Sequence, residues 1–127
     1  MRGNLWIGTE NGLFIYDYTD NSYIQYRQHA KDVQSGLTDN AIYTIYKSRS
    51  DIMWIGTFFG GVSYTSLTEN NFHYLIADNG KQYLKGKNNS ISHNTVYAIA
   101  EENDSILWVG TRGGGLNRFN KKTGEFQ

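Results

Sequence analysis

Five residues stand at turns where the chemistry of an otherwise repetitive chain varies: Phe58, Phe59, Arg112, His93 and Asp39. Phe58-Phe59 and Arg112-Gly113 follow the same short phrase at corresponding places, while Asp39 and His93 precede corresponding strands. Aromatic rings stack on the apolar face of a sugar, a guanidinium donates a fork of hydrogen bonds, and carboxylate and imidazole groups add acceptors. That is the chemistry of holding a ligand. The competing reading is ordinary loop packing, with the same rings covering the turn. Bond-breaking chemistry has less support. His29, His73 and His93 lie far apart with no Cys or second His at metal-ligand spacing, so no metal site is expected. Thr57-Phe58-Phe59-Gly60-Gly61 lacks the Lys-Ser/Thr and the helix of a phosphate loop. Asp51, Glu101, Glu102 and Asp104 fall in expected turns and read as solvated, which leaves no acid and base pair of the glycosidase kind. No catalytic residue and no cofactor is expected.

Composition narrows the partners. Twelve basic and twelve acidic residues cancel, and Lys81, Lys85 and Lys87 are spread through a polar connection, so nucleic acid is not an expected partner. The chain has no Cys and therefore no disulfide or thiol chemistry. No apolar run reaches membrane-spanning length, and Met1-Arg2-Gly3-Asn4 leads into a strand without a secretory apolar segment. Neither a signal peptide nor direct membrane contact is expected within this chain. Fourteen Gly, no Pro and 15% aromatic residues favour strands joined by tight turns.

The elements that must position the five residues come from one phrase used three times: Trp6-Ile7-Gly8-Thr9, Trp54-Ile55-Gly56-Thr57 and Trp108-Val109-Gly110-Thr111. From Trp6 to Trp54 is 48 positions and from Trp54 to Trp108 is 54, the period of a propeller blade or a solenoid repeat. The 54-residue step also carries Leu37 to Ile91, Asn40 to Asn94, Ile42 to Val96, Ile45 to Ile99 and Phe72 to Phe126. Each Trp phrase reads as a strand, followed by a glycine turn and a second strand. Residues 41–46 and 95–100 read as strands preceding the second and third phrases. Simple alternation in the former puts Ile42, Thr44 and Tyr46 on one face and Tyr43 and Ile45 on the other. Residues 29–35 and 77–90 read as polar connections, with Gly80 and Gly86 arguing against helix in the latter.

Trp6, Trp54 and Trp108 are expected to pack between adjacent sheets, with an exposed ligand platform as the alternative. Gly8, Gly56 and Gly110 are expected to permit close sheet approach, and Asn40 and Asn94 to bond the backbone where the chain enters the inner strand.

The pattern Leu/Ile-Ser/Thr-x-Asn-x-Val/Ile-x-x-Ile, a turn, Leu-Trp-Ile/Val-Gly-Thr, then Gly-Leu, an aromatic and Phe resembles the two-component regulator propeller repeat. It is carried by Leu37, Asn40, Ile42, Ile45, Trp54, Gly56, Thr57, Gly61 and Phe72, and by Ile91, Asn94, Val96, Ile99, Trp108, Gly110, Thr111, Gly115, Leu116, Phe119 and Phe126. The first repeat matches from Trp6 onward. The resemblance implies an all-β fold of four-stranded antiparallel blades in the periplasmic sensor portion of a hybrid two-component histidine kinase. It further implies a non-enzymatic role in detecting a carbohydrate outside the cytoplasmic membrane. A purely structural or protein-interaction propeller is the alternative, and a propeller enzyme comes third.

The expected organisation is a partial propeller over residues 1–127. It comprises an incomplete first blade at 1–34, a complete second at 35–88, and a third at 89–127 lacking most of its last strand. Open sheet edges and apolar faces at the ends predict self-association, with partial blades completing one another.

Overall fold

The computed structural model describes residues 4–27, 37–66, 73–77 and 90–126. The strands among them form three antiparallel sheets in chain order. The first holds β1 (Asn4–Thr9), β2 (Gly12–Asp17) and β3 (Ser22–Tyr26). The second holds β4 (Ile42–Lys47), β5 (Ile52–Thr57), β6 (Val62–Ser66) and β7 (His73–Leu75), and the third β8 (Val96–Glu101), β9 (Ile106–Thr111), β10 (Gly115–Asn120) and β11 (Glu125–Phe126). None of the sheets closes on itself. The architecture is that of about three propeller blades, as expected. Phe72, His29 and the connection spanning 78–89 lie outside the described residues.

Each Trp phrase forms the end of β1, β5 or β9, and its Thr fastens the turn that follows. Thr9, Thr57 and Thr111 donate through Oγ1 to the carbonyls of Gly12, Gly61 and Gly115 at 2.9, 2.9 and 3.0 Å. These glycines share a positive φ, and a Cβ at Gly61 would lie 2.1 Å from the Leu75 carbonyl oxygen. The turn therefore requires glycine there for both its conformation and its space.

The sheets stack face to face. One core holds Leu13, Ile15, Leu37, Ile42 and Ile55 between the first and second sheets. The other holds Trp54, Val62, Ala77, Ile91, Val96, Leu107, Val109, Phe119 and Phe126 between the second and third. Leu37 and Ile91 come from the lead-in segments, which run between the sheets and bond to the blade they enter. Thr38 Oγ1 donates to Gly60 O at 2.8 Å, and Ser92 N donates to Asn117 Oδ1 at 3.0 Å.

The expected alternation in β4 is wrong at one residue. Ile42 pairs with Thr57 but Thr44 pairs with Gly56, so a bulge leaves Tyr43 as an extra residue; β8 repeats this around Tyr97, with Val96 opposite Thr111 and Ala98 opposite Gly110. The extra residue shifts the phase by one, placing Ile42 on the same side as Ile45 and Ile55, against the first blade. Packing both isoleucines into one core outweighs the ladder pairing lost at the bulge.

Glu101 also departs from the expected solvated turn. It ends β8 with its side chain 1% exposed, 2.5 Å from Lys121 Nζ, and accepts the Arg49 N–H at 3.2 Å. Burial by itself would raise its pKa, but the Lys121 hydrogen bond, the Arg49 amide and the two positive charges hold the carboxyl below its ordinary value.

Candidate ligand-binding site

Two backbone bonds bring the variable turns to one end of the blades. Phe58 N donates to Ala41 O at 3.0 Å, and Arg112 N donates to Thr95 O at 2.9 Å, so each turn after a Trp strand lies beside the entry to its inner strand. Thr95 Oγ1 then donates to Phe58 O, tying the third blade to the second across the mouth. Gly12 N and Gly61 N donate to Asn40 O and Asn94 O at 2.6 and 2.9 Å, locking each blade to the next at the same end.

A cavity of about 400 Å3 opens between these turns, lined by Phe58, Phe59, His93, Thr95, Arg112 and Gly113. Four of the five predicted site residues therefore meet in one place. Phe59 is 67% exposed and packs edge to face on the half-buried Phe58, with ring centroids 4.2 Å apart. Arg112 is exposed and has no ion pair among the described residues, which leaves its guanidinium available. The cavity thus combines apolar ring faces with a fixed positive charge, the rings coming from the second blade and the polar groups from the third, on opposite sides of a blade boundary.

Asp39 is outside the lining. Its Oδ2 accepts the Phe59 N–H at 2.7 Å and its Oδ1 accepts the Ala41 N–H at 3.3 Å, so the carboxylate holds the aromatic turn against the lead-in. His93 occupies the corresponding position in the third repeat and does a similar job through Nδ1, which accepts the Thr95 N–H at 3.0 Å. In the neutral imidazole this bond puts the proton on Nε2. One repeat position accordingly supplies a buttress in one blade and a cavity wall in the next.

Two of the three framework Trp residues, Trp6 and Trp54, pack in the inter-blade layers, whereas Trp108, expected to do the same, belongs to neither core. Trp54 is buried, stacks on Tyr64 at 4.7 Å and meets Phe119 edge to face at 6.0 Å. Trp6 packs against the first core, while Trp108 is half-buried, with Nε1 donating to Glu102 at 3.0 Å and Arg118 5.9 Å from its ring centroid. A Cβ on Gly8 would fall 2.4 Å from Ile42 Cγ2, and one on Gly56 2.6 Å from Val96 Cγ1, whereas Gly110 has no neighbour nearer than 3.8 Å. Asn94 Oδ1 accepts the Ala77 N–H at 2.6 Å, fastening the end of the preceding blade. The Asn40 carbonyl accepts the Gly12 N–H.

Thr95 is the lining residue that the sequence reading passed over. Its signal was available: it follows the Asn at the lead-in of the third repeat, where Ala41 stands in the second. Among the described residues no group of three or more His, Cys, Asp or Glu is placed to hold a metal ion, and no helix is long and apolar enough to cross a membrane.

Comparison with known proteins agrees with this geometry. Residues 36–59 and 90–113 match the two-component regulator propeller family, each match running from a lead-in to the mouth turn. Histidine kinase P4 of Formosa agariphila is 34% identical over 151 residues, covering 88% of this chain and 11% of that protein. Among solved structures, the extracellular domain of the hybrid two-component system BT3049 from B. thetaiotaomicron superposes with a TM-score of 0.82 at 20% identity, covering 100% of this chain and 16% of that one. The extracellular domain of BT4673 from the same organism gives 0.72 at 28% identity, covering 96% and 15%. The chain spans between about a tenth and a sixth of the length of these relatives. From the repeated phrase, the stacked antiparallel meanders and these matches together, residues 36–59 and 90–113 are repeats of the two-component regulator propeller family.

Proposed function

We propose that the mouth cavity binds a carbohydrate outside the cytoplasmic membrane as part of a two-component sensor, without catalysing a reaction on it. The observation that carries this reading is the convergence of Phe58, Phe59, His93 and Arg112, the residues that vary between repeats, on one cavity across a blade boundary. A sugar ring stacks its C–H face on Phe59 and directs hydroxyl or carboxylate oxygens to Arg112 and His93. The location is supported by the BT4673 relative, an extracellular domain of a two-component system. Titration calorimetry against a broad panel of oligosaccharides tests the idea. Binding is expected to weaken about tenfold or more in Phe59→Ala and in Arg112→Ala, matching the loss of one stacking or charged contact. A panel without any binder ends this reading.

A second reading concerns assembly and has its own observation. Ile7 is 42% exposed, although its counterparts Ile55 and Val109 are fully buried, and Leu116 is 65% exposed where Leu13 and Val62 are fully buried. Leu5, Ile7, Phe14, Tyr16 and Tyr23 share one open apolar face of the first sheet. Within the molecule such faces pack on a neighbouring blade. In solutions of the chain by itself, a second copy supplies that neighbour, and the blades act as a protein-interaction module.

A further inference from the structure

The two bulges turn a pair of tyrosines out of the blade framework. Each bulge is explained by the need to bring Ile42 and Ile45, or Val96 and Ile99, onto one face, but that need is met by any extra residue. The residue present both times is Tyr. Tyr43 and Tyr97 are 43% and 50% exposed, belong to neither core, and have no hydrogen bond among the described residues for their hydroxyls. Their rings stack across the blade boundary, 5.5 Å apart and 13° from parallel.

The stack does not stand alone. Tyr43 contacts Phe58 at 5.4 Å, and Phe58 contacts Phe59 at 4.2 Å, so four rings run without a break from β8 to the mouth cavity. A partly solvated aromatic surface of this length, with phenol hydroxyls along it, is amphipathic in the way that suits a ligand alternating apolar faces and hydroxyls. The neutral charge of the chain and the lack of a basic cluster on these strands count against nucleic acid as the occupant.

We infer that Tyr43 and Tyr97 form a second subsite, continuous with the mouth cavity, and that the ligand is an oligosaccharide spanning at least two sugar rings. The inference rests on the reading of the mouth as a carbohydrate site. It adds the extent of the ligand and the residues that select for chain length.

The test is calorimetry on the full chain with gluco-, xylo- and galacturono-oligosaccharides of one, two and four units. In the binding series, the four-unit sugar is expected to bind about tenfold or more tightly than the single unit. In a Tyr43→Ala/Tyr97→Ala variant that advantage falls below about twofold, while single-unit affinity stays within about twofold of the parent. Unchanged single-unit binding also verifies that the variant is folded. Should the variant prove unfolded, Tyr43→Phe/Tyr97→Phe keeps the rings and removes the hydroxyls, and a reduced length advantage in it supports the subsite. Length discrimination that survives in both variants overturns the inference and leaves the mouth site standing. No binding in any series removes both.

Discussion

Glu101 is the residue whose surroundings most depart from what its neighbours in sequence imply. Its carboxylate is buried between Lys121 of its own blade and the Arg49 amide of the preceding one. Replacing it by Gln leaves the Lys121 ammonium, whose side chain is 9% exposed, without its counter-charge. Glu101→Gln is therefore expected to lower unfolding free energy by about 3 kcal/mol, read from urea denaturation at neutral pH. Because the folded carboxyl titrates below its ordinary value of 4.5, its stabilisation is complete above that pH and disappears as the pH falls through the depressed folded value. The parent should thus lose more stability than Glu101→Gln as the pH is lowered below 4.5, and parallel losses would refute the role given to the ion pair. None of this was legible from the local sequence, Ala100-Glu101-Glu102-Asn103-Asp104, which reads as a polar turn. The partner that changes its meaning is twenty residues away. Phe59 and Arg112 were legible for the opposite reason: they interrupt a repeated pattern, so their difference shows without any knowledge of contacts.

At the scale of the strand and turn, the repeated glycine of the Trp phrase provides an internal control. Gly56 lies against Val96 and Thr44, and an added Cβ meets both at 2.6 Å, while one at Gly110 meets only Ala98, at an ordinary contact distance of 3.8 Å. Gly56→Ala is expected to cost about 1–3 kcal/mol through overpacking, and Gly110→Ala to be close to neutral. Thermal unfolding of the two variants decides the matter, and equal effects would show that the glycines serve the strand rather than the inter-blade contact. The strands themselves followed from periodicity and turn residues. The bulges did not, because a bulge preserves strand-like composition while shifting the phase of every residue beyond it. In β4 the alternation rule assigned Ile42 to the side of Thr44; the pairing puts it with Ile45, and the extra residue Tyr43 becomes half exposed.

For the whole molecule, the decisive feature is that the middle blade is covered on both faces and each outer blade on one. Ile7 and Leu116 sit on the two uncovered faces. If these faces take a second copy, Ile7→Lys and Leu116→Lys should each shift the chain toward monomer in sedimentation at micromolar concentration, with little effect on monomer stability. Ile55→Lys, which buries an ammonium in a closed core, should instead unfold the chain, a loss of several kcal/mol. A parent chain that sediments as a monomer rules out the assembly. The sequence by itself determined the repeat, the strand order within a blade and the turns in which the variable residues lie, because period and turn chemistry are local properties. Tertiary structure alone decided that turns 54 residues apart enclose one cavity, that Asp39 is spent on backbone bonds while His93 lines the wall, and that Tyr43 and Tyr97 stack. Those outcomes depend on how one sheet sits on the next, and that is set by side chains packing across a boundary that no single repeat contains.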